Sequence, residues 1–150
     1  MTGNPFRRIP MKIEIVCGCS QTDWHAVSAI LKSVGMAYEK PEVHKKAFEA
    51  SHTTVFVYAA GRLIGFSRAL SDGAYQAAVY DVAVVPAFQR MGIGRIIMHH
   101  ILDRLPGCNV ILYASPGKED FYRTLGMKKM MTGMALFRNP TKMADRGFTD

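Results

Sequence analysis

Apolar and polar positions alternate from Ile13 through Ile15 to Cys17, the two-residue period of a strand with one covered face. The period then lengthens. Trp24, Val27, Ile30, Leu31 and Val34 recur at helical spacing, Ser20 with Asp23 forms an approximate capping box ahead of them, and Gly35 closes the helix. Pro41, at the tolerated first position, opens a second short helix that runs through Ala47 and Phe48 towards Ser51. Three strand-like runs follow, Thr53 to Ala60, Leu63 to Leu70 and Tyr75 to Val85. The turn chemistry between them, Gly61-Arg62 and Ser71-Asp72-Gly73, suits antiparallel hairpins. Pro86 ends the third run because it cannot donate to a ladder. Beyond a glycine-bearing loop, Ile93, Ile96, Ile97, Ile101 and Leu105 form the apolar stripe of another helix, stopped by Pro106-Gly107. Within Asn109 to Ala114, the nearly continuous apolar run Val110-Ile111-Leu112-Tyr113 reads as a strand covered on both faces. A helix from Lys118 to Leu125, closed by Gly126, and a last strand from Met127 to Phe137 complete the pattern. Its order predicts a mixed α/β (α+β) layer, not a clean alternation of parallel units.

At 150 residues the chain suits one domain, expected over 11–137, between a loose N-terminal tail at 1–10 and a polar C-terminal tail at 138–150. Met11, just ahead of the first strand-like run, is a candidate natural start. Arg7 and Arg8 have no apolar core behind them, so the N-terminal stretch does not read as a secretory signal. No window approaches the ~20 apolar residues a membrane helix needs, so a soluble protein is expected. Cys17, Cys19 and Cys108 match neither a zinc pair of pairs nor a C-x-x-C motif, which points to reduced, buried thiols in a cytoplasmic protein. The formal charge of +7 favours an anionic partner. Without a run of five basic residues, a phosphate-rich cofactor fits better than nucleic acid.

The chemistry concentrates between a strand and a helix, in Val84-Val85-Pro86-Ala87-Phe88-Gln89-Arg90-Met91-Gly92-Ile93-Gly94-Arg95. A helix start presents unpaired backbone N–H groups, and glycines there let a phosphate come close. Arg90 and Arg95 add formal positive charge suited to a pyrophosphate. The Rossmann pattern requires a third glycine where this chain has Ile97, and the P-loop requires Gly-Lys-Ser or Gly-Lys-Thr, which is absent. A glycine-rich turn without a ligand is the remaining alternative on the loop alone.

Gln89-Arg90-Met91-Gly92-Ile93-Gly94 resembles the pyrophosphate loop of the GCN5-related N-acetyltransferases (GNAT), Gln/Arg-x-x-Gly-x-Gly/Ala. Val84-Val85-Pro86 before it, and Phe121-Tyr122-Arg123-Thr124-Leu125-Gly126-Met127 after it, are similar to two further signatures of that family. Gly65 to Tyr75 and Tyr80 to Val84 look like the branch that includes plant and cyanobacterial serotonin N-acetyltransferases, associated with arylalkylamine and, in some members, lysine acetylation. The resemblance implies a central, mostly antiparallel sheet flanked by helices, with acetyl-CoA wedged between two splayed strands. It also implies direct transfer of the acetyl group to a primary amine, without a metal. The cofactor would be held by Val82, Ala83 and Val84, by Gln89, Arg90, Met91, Gly92, Ile93, Gly94 and Arg95, and by Ser115 and Tyr122. Ser115 stands where many members place an asparagine.

Amide formation needs a neutral amine, and an alkylamine is mostly protonated at neutral pH. Asp81, the acid within the third meander strand, is a candidate base, with a structural role the competing reading. Tyr80 and Asp81 point to opposite faces unless a bulge intervenes, and the family is known for one there. The amide of Val82 is the candidate oxyanion donor, and Tyr122 the group that meets the departing thiolate. Met36, Tyr38 and Phe48 could wall an amine pocket or simply pack. Two rivals remain: a CoA-binding sensor or scaffold without transfer, and a basic nucleic-acid-binding domain. A homodimer is compatible with the family.

Overall fold

The computed structural model of the chain describes residues 12–150, so the segment expected as an N-terminal tail, with Met11, lies outside the described residues. These divide into two compact units, one ending at Leu112 and one spanning Tyr113–Asp150.

In the first unit, strands β1 (Ile13–Cys17), β2 (Thr53–Ala59), β3 (Arg62–Ser71), β4 (Gln76–Val84) and β5 (Asn109–Ile111) form one sheet in chain order. The pairs from β1 to β4 are antiparallel, and β5 lies parallel to β4. The crossover between β4 and β5 is made by helix α3 (Ile93–Asp103), as a parallel connection requires. Helices α1 (Trp24–Ser33) and α2 (Pro41–Glu49) pack on each other. Their apolar stripes close a core with Phe56, Leu63, Phe66 and Ala83, in which Val27, Leu31 and Phe48 are essentially unexposed. Because alternate residues of a strand face opposite ways, Gly65 serves the other face, where α3 packs.

Gly65 sets how closely that helix approaches. A Cβ at this position would lie 3.0 Å from both the Ala83 carbonyl oxygen and Cδ1 of Ile97, and 3.4 Å from Cγ2 of Ile93. Gly65→Ala is expected to overpack this joint, at a cost of about 1–3 kcal/mol. A thermal melt should show Tm lowered by roughly 5 °C.

The local chemistry corrects the expected helix start. Asp23 itself is the N-cap of α1, its Oδ1 accepting from the amides of His25 (3.0 Å) and Ala26 (3.2 Å), and Ser20 lies outside the helix. The stripe of α3 is also turned slightly: Met98 is buried with Ile93, Ile97 and Ile101, while Ile96 is half-buried. Cys17 is exposed, against the expectation of buried thiols.

In the second unit, α4 is confined to Glu119–Arg123, and the strand expected over Met127 to Phe137 does not form. A strand needs a ladder partner for its backbone groups, and no partner is present for this segment among the described residues. Met134 and Leu136 are 95% and 100% exposed, so the alternation there covers nothing. Beyond Arg138 lies a short helix, α5 (Pro140–Asp145), capped by Asn139, whose side chain accepts from the Lys142 amide at 3.1 Å. Phe148 stacks edge-on against Tyr113, with ring centroids 5.9 Å apart. No helix among the described residues is long and apolar enough to cross a membrane.

Candidate active site

The site grows from an interruption in β4. Register passes from Arg68↔Tyr80 to Phe66↔Ala83, so Ser67 alone stands opposite both Asp81 and Val82. This is a β-bulge, and Asp81 occupies it with φ 57°. That left-handed conformation costs most L-residues about 1–2 kcal/mol, and Asp is among the few that adopt it readily. Ser67, fully buried, donates its hydroxyl to the Tyr80 carbonyl at 3.0 Å and so ties the strand just before the bulge.

The bulge brings Tyr80 and Asp81 to one guanidinium. Arg68 Nε donates to Asp81 Oδ2 at 2.7 Å, with both side chains largely covered (16% and 21% exposed). Its guanidinium carbon sits 5.2 Å from the Tyr80 ring centroid and 5.6 Å from that of Phe48, within cation–π range. Arg68 Nη1 also donates to the Ser51 hydroxyl at 3.4 Å.

The sheet opens just before the bulge. The pairing of β4 with β5 stops at Ala78↔Ile111, although β4 continues to Val84. The β4–β5 ladder therefore does not reach the bulge. Val82 and Val84 are half-buried there, and Ala83 is buried in the core. The chain then turns through a 3₁₀ segment, Pro86–Phe88, and Gln89 Nε2 donates back to the Val84 carbonyl at 2.9 Å. Arg90 follows in the left-handed region (φ 62°), and Gly92, at φ 84°, is the N-cap of α3 with no side-chain cap. A Cβ at Gly92 would meet nothing within 4 Å. The helix start thus presents its first amides and the positive end of its dipole beside open space, the arrangement that suits a phosphate. Arg90 and Arg95 are exposed and Met91 and Gly94 half-buried. Ile93 is buried, so its side chain belongs to the core and only its amide remains to serve a ligand.

In the second unit, half-buried Ser115 accepts the Lys118 amide at 2.9 Å through its carbonyl, at the turn before α4. Tyr122 lies within that helix, its ring 4.9 Å from that of Phe121. Burial pushes its phenol up to about 12, so it keeps its proton at neutral pH.

Two residues of this site escaped the sequence reading, Arg68 and His44. A charge in a covered strand such as Leu63 to Ala69 was the available signal for Arg68. His44, 5% exposed on α2, accepts the Glu39 amide on Nε2 at 2.8 Å and so fastens the chain between α1 and α2. Burial lowers its pKa below 6.5 and Arg68 reinforces this, while the charges of Asp81 and Glu39 oppose it. Because the folded pKa is the lower one, its stabilising effect is complete above 6.5 and is lost as pH falls through that value towards the folded pKa. Thermal melts should show Tm of the wild type declining as pH falls below about 6.5, and declining less in His44→Gln, by a few degrees.

Of the expected pocket walls, Phe48 is core and also lines a cavity of about 330 Å³ with Cys17, Cys19, Ser51, His52 and Thr54. Met36 packs on the core, and Tyr38 is 49% exposed. Among the described residues no group of three or more His, Cys, Asp or Glu side chains could hold a metal ion.

A mostly antiparallel sheet with a bulged strand that feeds a glycine-capped helix defines a mixed α/β fold. Residues 23–127 match the acetyltransferase (GNAT) family, and the chain belongs to it. It is similar to serotonin N-acetyltransferase 2, chloroplastic, of Oryza sativa subsp. japonica, 34% identical over 78% of this chain and 64% of that protein's length. It is also similar to the uncharacterized N-acetyltransferase ycf52 of Porphyra purpurea, 28% identical over 86% of this chain and 78% of the relative. Its fold is shared with a GNAT-family acetyltransferase from Streptococcus pneumoniae, at a TM-score of 0.72, 24% identity, and coverage of 85% and 98% of the two chains.

Proposed function

We propose that this chain transfers an acetyl group from acetyl-CoA to a primary amine of the arylalkylamine or lysine type. The observation that carries the reading is the β4 bulge at Asp81, lying beyond the last β4–β5 pair and followed by the Gly92 helix start. Acetyl-CoA supplies an acyl group already activated as a thioester. Val82, Ala83 and Val84 would hold its pantetheine arm, with Ser115 a further contact. The amides from Gln89 to Gly94, with Arg90 and Arg95, would bind its pyrophosphate. The amide of Val82 would stabilise the oxygen that becomes negative on attack. Asp81, directly or through water, would take the amine proton, and Tyr122 would donate a hydrogen bond to the departing sulfur. The name of the rice relative supports an arylalkylamine acceptor. The free thiols Cys17, Cys19 and Cys108 support a reducing, cytoplasmic compartment, although that relative is named chloroplastic. Assembly as a homodimer belongs to the same reading.

Thiol release from acetyl-CoA, measured with tryptamine, serotonin, spermidine and a lysine peptide, tests it. Turnover with tryptamine, serotonin or the peptide supports acetyl transfer and names the acceptor class. Binding of acetyl-CoA with every amine inert favours a CoA-binding module without transfer. No binding at all removes the phosphate-loop reading.

A further inference from the structure

We propose that Arg68 is the positioning residue of this site, a planar clamp that holds Asp81, and with it the bulge that presents the Val82 amide. The inference rests on the acetyl-transfer reading for its effect on rate, but its structural content stands on the geometry alone.

Four groups converge on the Arg68 guanidinium: the Asp81 carboxylate at 2.7 Å, the Ser51 hydroxyl at 3.4 Å, and the rings of Tyr80 and Phe48 at 5.2 and 5.6 Å. They come from α2, the segment just after it and β4. Phe48 belongs to α2, Ser51 follows that helix, and Tyr80 and Asp81 straddle the start of the bulge. The ion offers its charge to the two rings, its Nε–H to the carboxylate and an Nη–H to the hydroxyl. A lysine, a point charge with no planar face, cannot reproduce that set. Charge balance at this largely covered place is met within the chain, since Arg68 and Asp81 neutralise one another. Asp81 is also the residue that adopts φ 57°, so the group Arg68 grips is the one on which the irregular backbone turns. A carboxylate fixed through one oxygen, on a strand whose next amide is Val82, couples α2 to the donor geometry of the bulge. None of these four partners lies in the loop from Gln89 to Arg95, so the loss of Arg68 should spare cofactor binding.

The test compares wild type with Arg68→Ala, Arg68→Lys and Asp81→Asn. Asn also tolerates the left-handed region, so Asp81→Asn removes charge without straining the backbone. In Arg68→Ala, hydrogen exchange should accelerate at least about tenfold at the amides of residues 80–83, with the affinity for acetyl-CoA by calorimetry within about threefold of wild type. With the preferred amine, kcat should fall at least about thirtyfold, and millimolar ethylguanidinium, but not ethylammonium at equal ionic strength, should restore part of it. Arg68→Lys should not regain full rate. Should Arg68→Ala fail to fold, Arg68→Lys carries the same exchange and rate measurements. Unchanged exchange at residues 80–83 in a folded variant, or a wild-type kcat without the guanidinium, overturns the inference. An inert wild type with every amine would instead sink the acetyl-transfer reading, while the exchange and affinity data still judge the clamp.

Discussion

Tyr122→Phe is expected to lower kcat for acetyl transfer by about one hundredfold while leaving the acetyl-CoA KM within about threefold. The substitution removes one oxygen and keeps the ring that packs 4.9 Å from Phe121, so thermal stability should barely change. The phenol, held at about 12 by burial, is a weaker acid than an ordinary thiol of about 8.5. Complete proton transfer to a departing thiolate would therefore run uphill. Tyr122 is better suited to donating a strong hydrogen bond that disperses the sulfur charge, the proton being delivered from solvent. Two measurable consequences follow from that distinction. Ionisation of Tyr122 should leave no limb in the pH–rate profile below about pH 10, because a group with a raised pKa stays protonated across that range. Restoring the hydroxyl should restore the rate whatever the buffer pH. A variant with undiminished kcat would make Tyr122 a packing residue and move the sulfur contact elsewhere.

Gly92→Ala should weaken acetyl-CoA binding by about thirtyfold, close to 2 kcal/mol, with a much smaller change in kcat at saturation. Two separate properties of the position lead to this. The backbone sits at φ 84°, which charges an alanine about 1–2 kcal/mol that glycine does not incur. The added methyl would strike no protein atom within 4 Å, so the fold itself has room for it. A phosphate seated on the first amides of α3 would lose part of that room, because its approach to the backbone depends on a missing side chain. Calorimetry with acetyl-CoA and a thermal melt of the free protein separate the effects. A melt lowered by a few degrees together with the affinity loss fits the phosphate reading, and a lowered melt with intact affinity places the phosphate elsewhere.

Those two residues were legible without coordinates because their signals are local. Gly92 lies in a short loop whose glycine spacing and neighbouring arginines state its chemistry, and Phe121-Tyr122 sits in a contiguous motif. The meander was equally legible, since turn residues and Pro86 punctuate runs of period two. The observed β2, β3 and β4 fall inside or within a residue of those runs. Periodicity was a poorer guide at the C-terminal end. Met127 to Phe137 alternates like a strand, yet alternation only states which residues could share a face and cannot supply a ladder partner.

What the sequence by itself determined, then, is the elements of the first unit, their order and the glycine-capped helix start, all governed by interactions within a few residues along the chain. The tertiary structure alone decided the bulge, its left-handed Asp81 and the grip of Arg68 on it. Arg68 and Asp81 are thirteen residues apart and meet only because the β3–β4 register slips by one at Ser67. Register is a property of two strands pairing under the pressure of a shared core, and a one-residue slip reverses which face each side chain serves. The roles of Tyr80 and Asp81 were therefore open on the sequence, where parity set them on opposite faces, and were brought to one guanidinium by the fold.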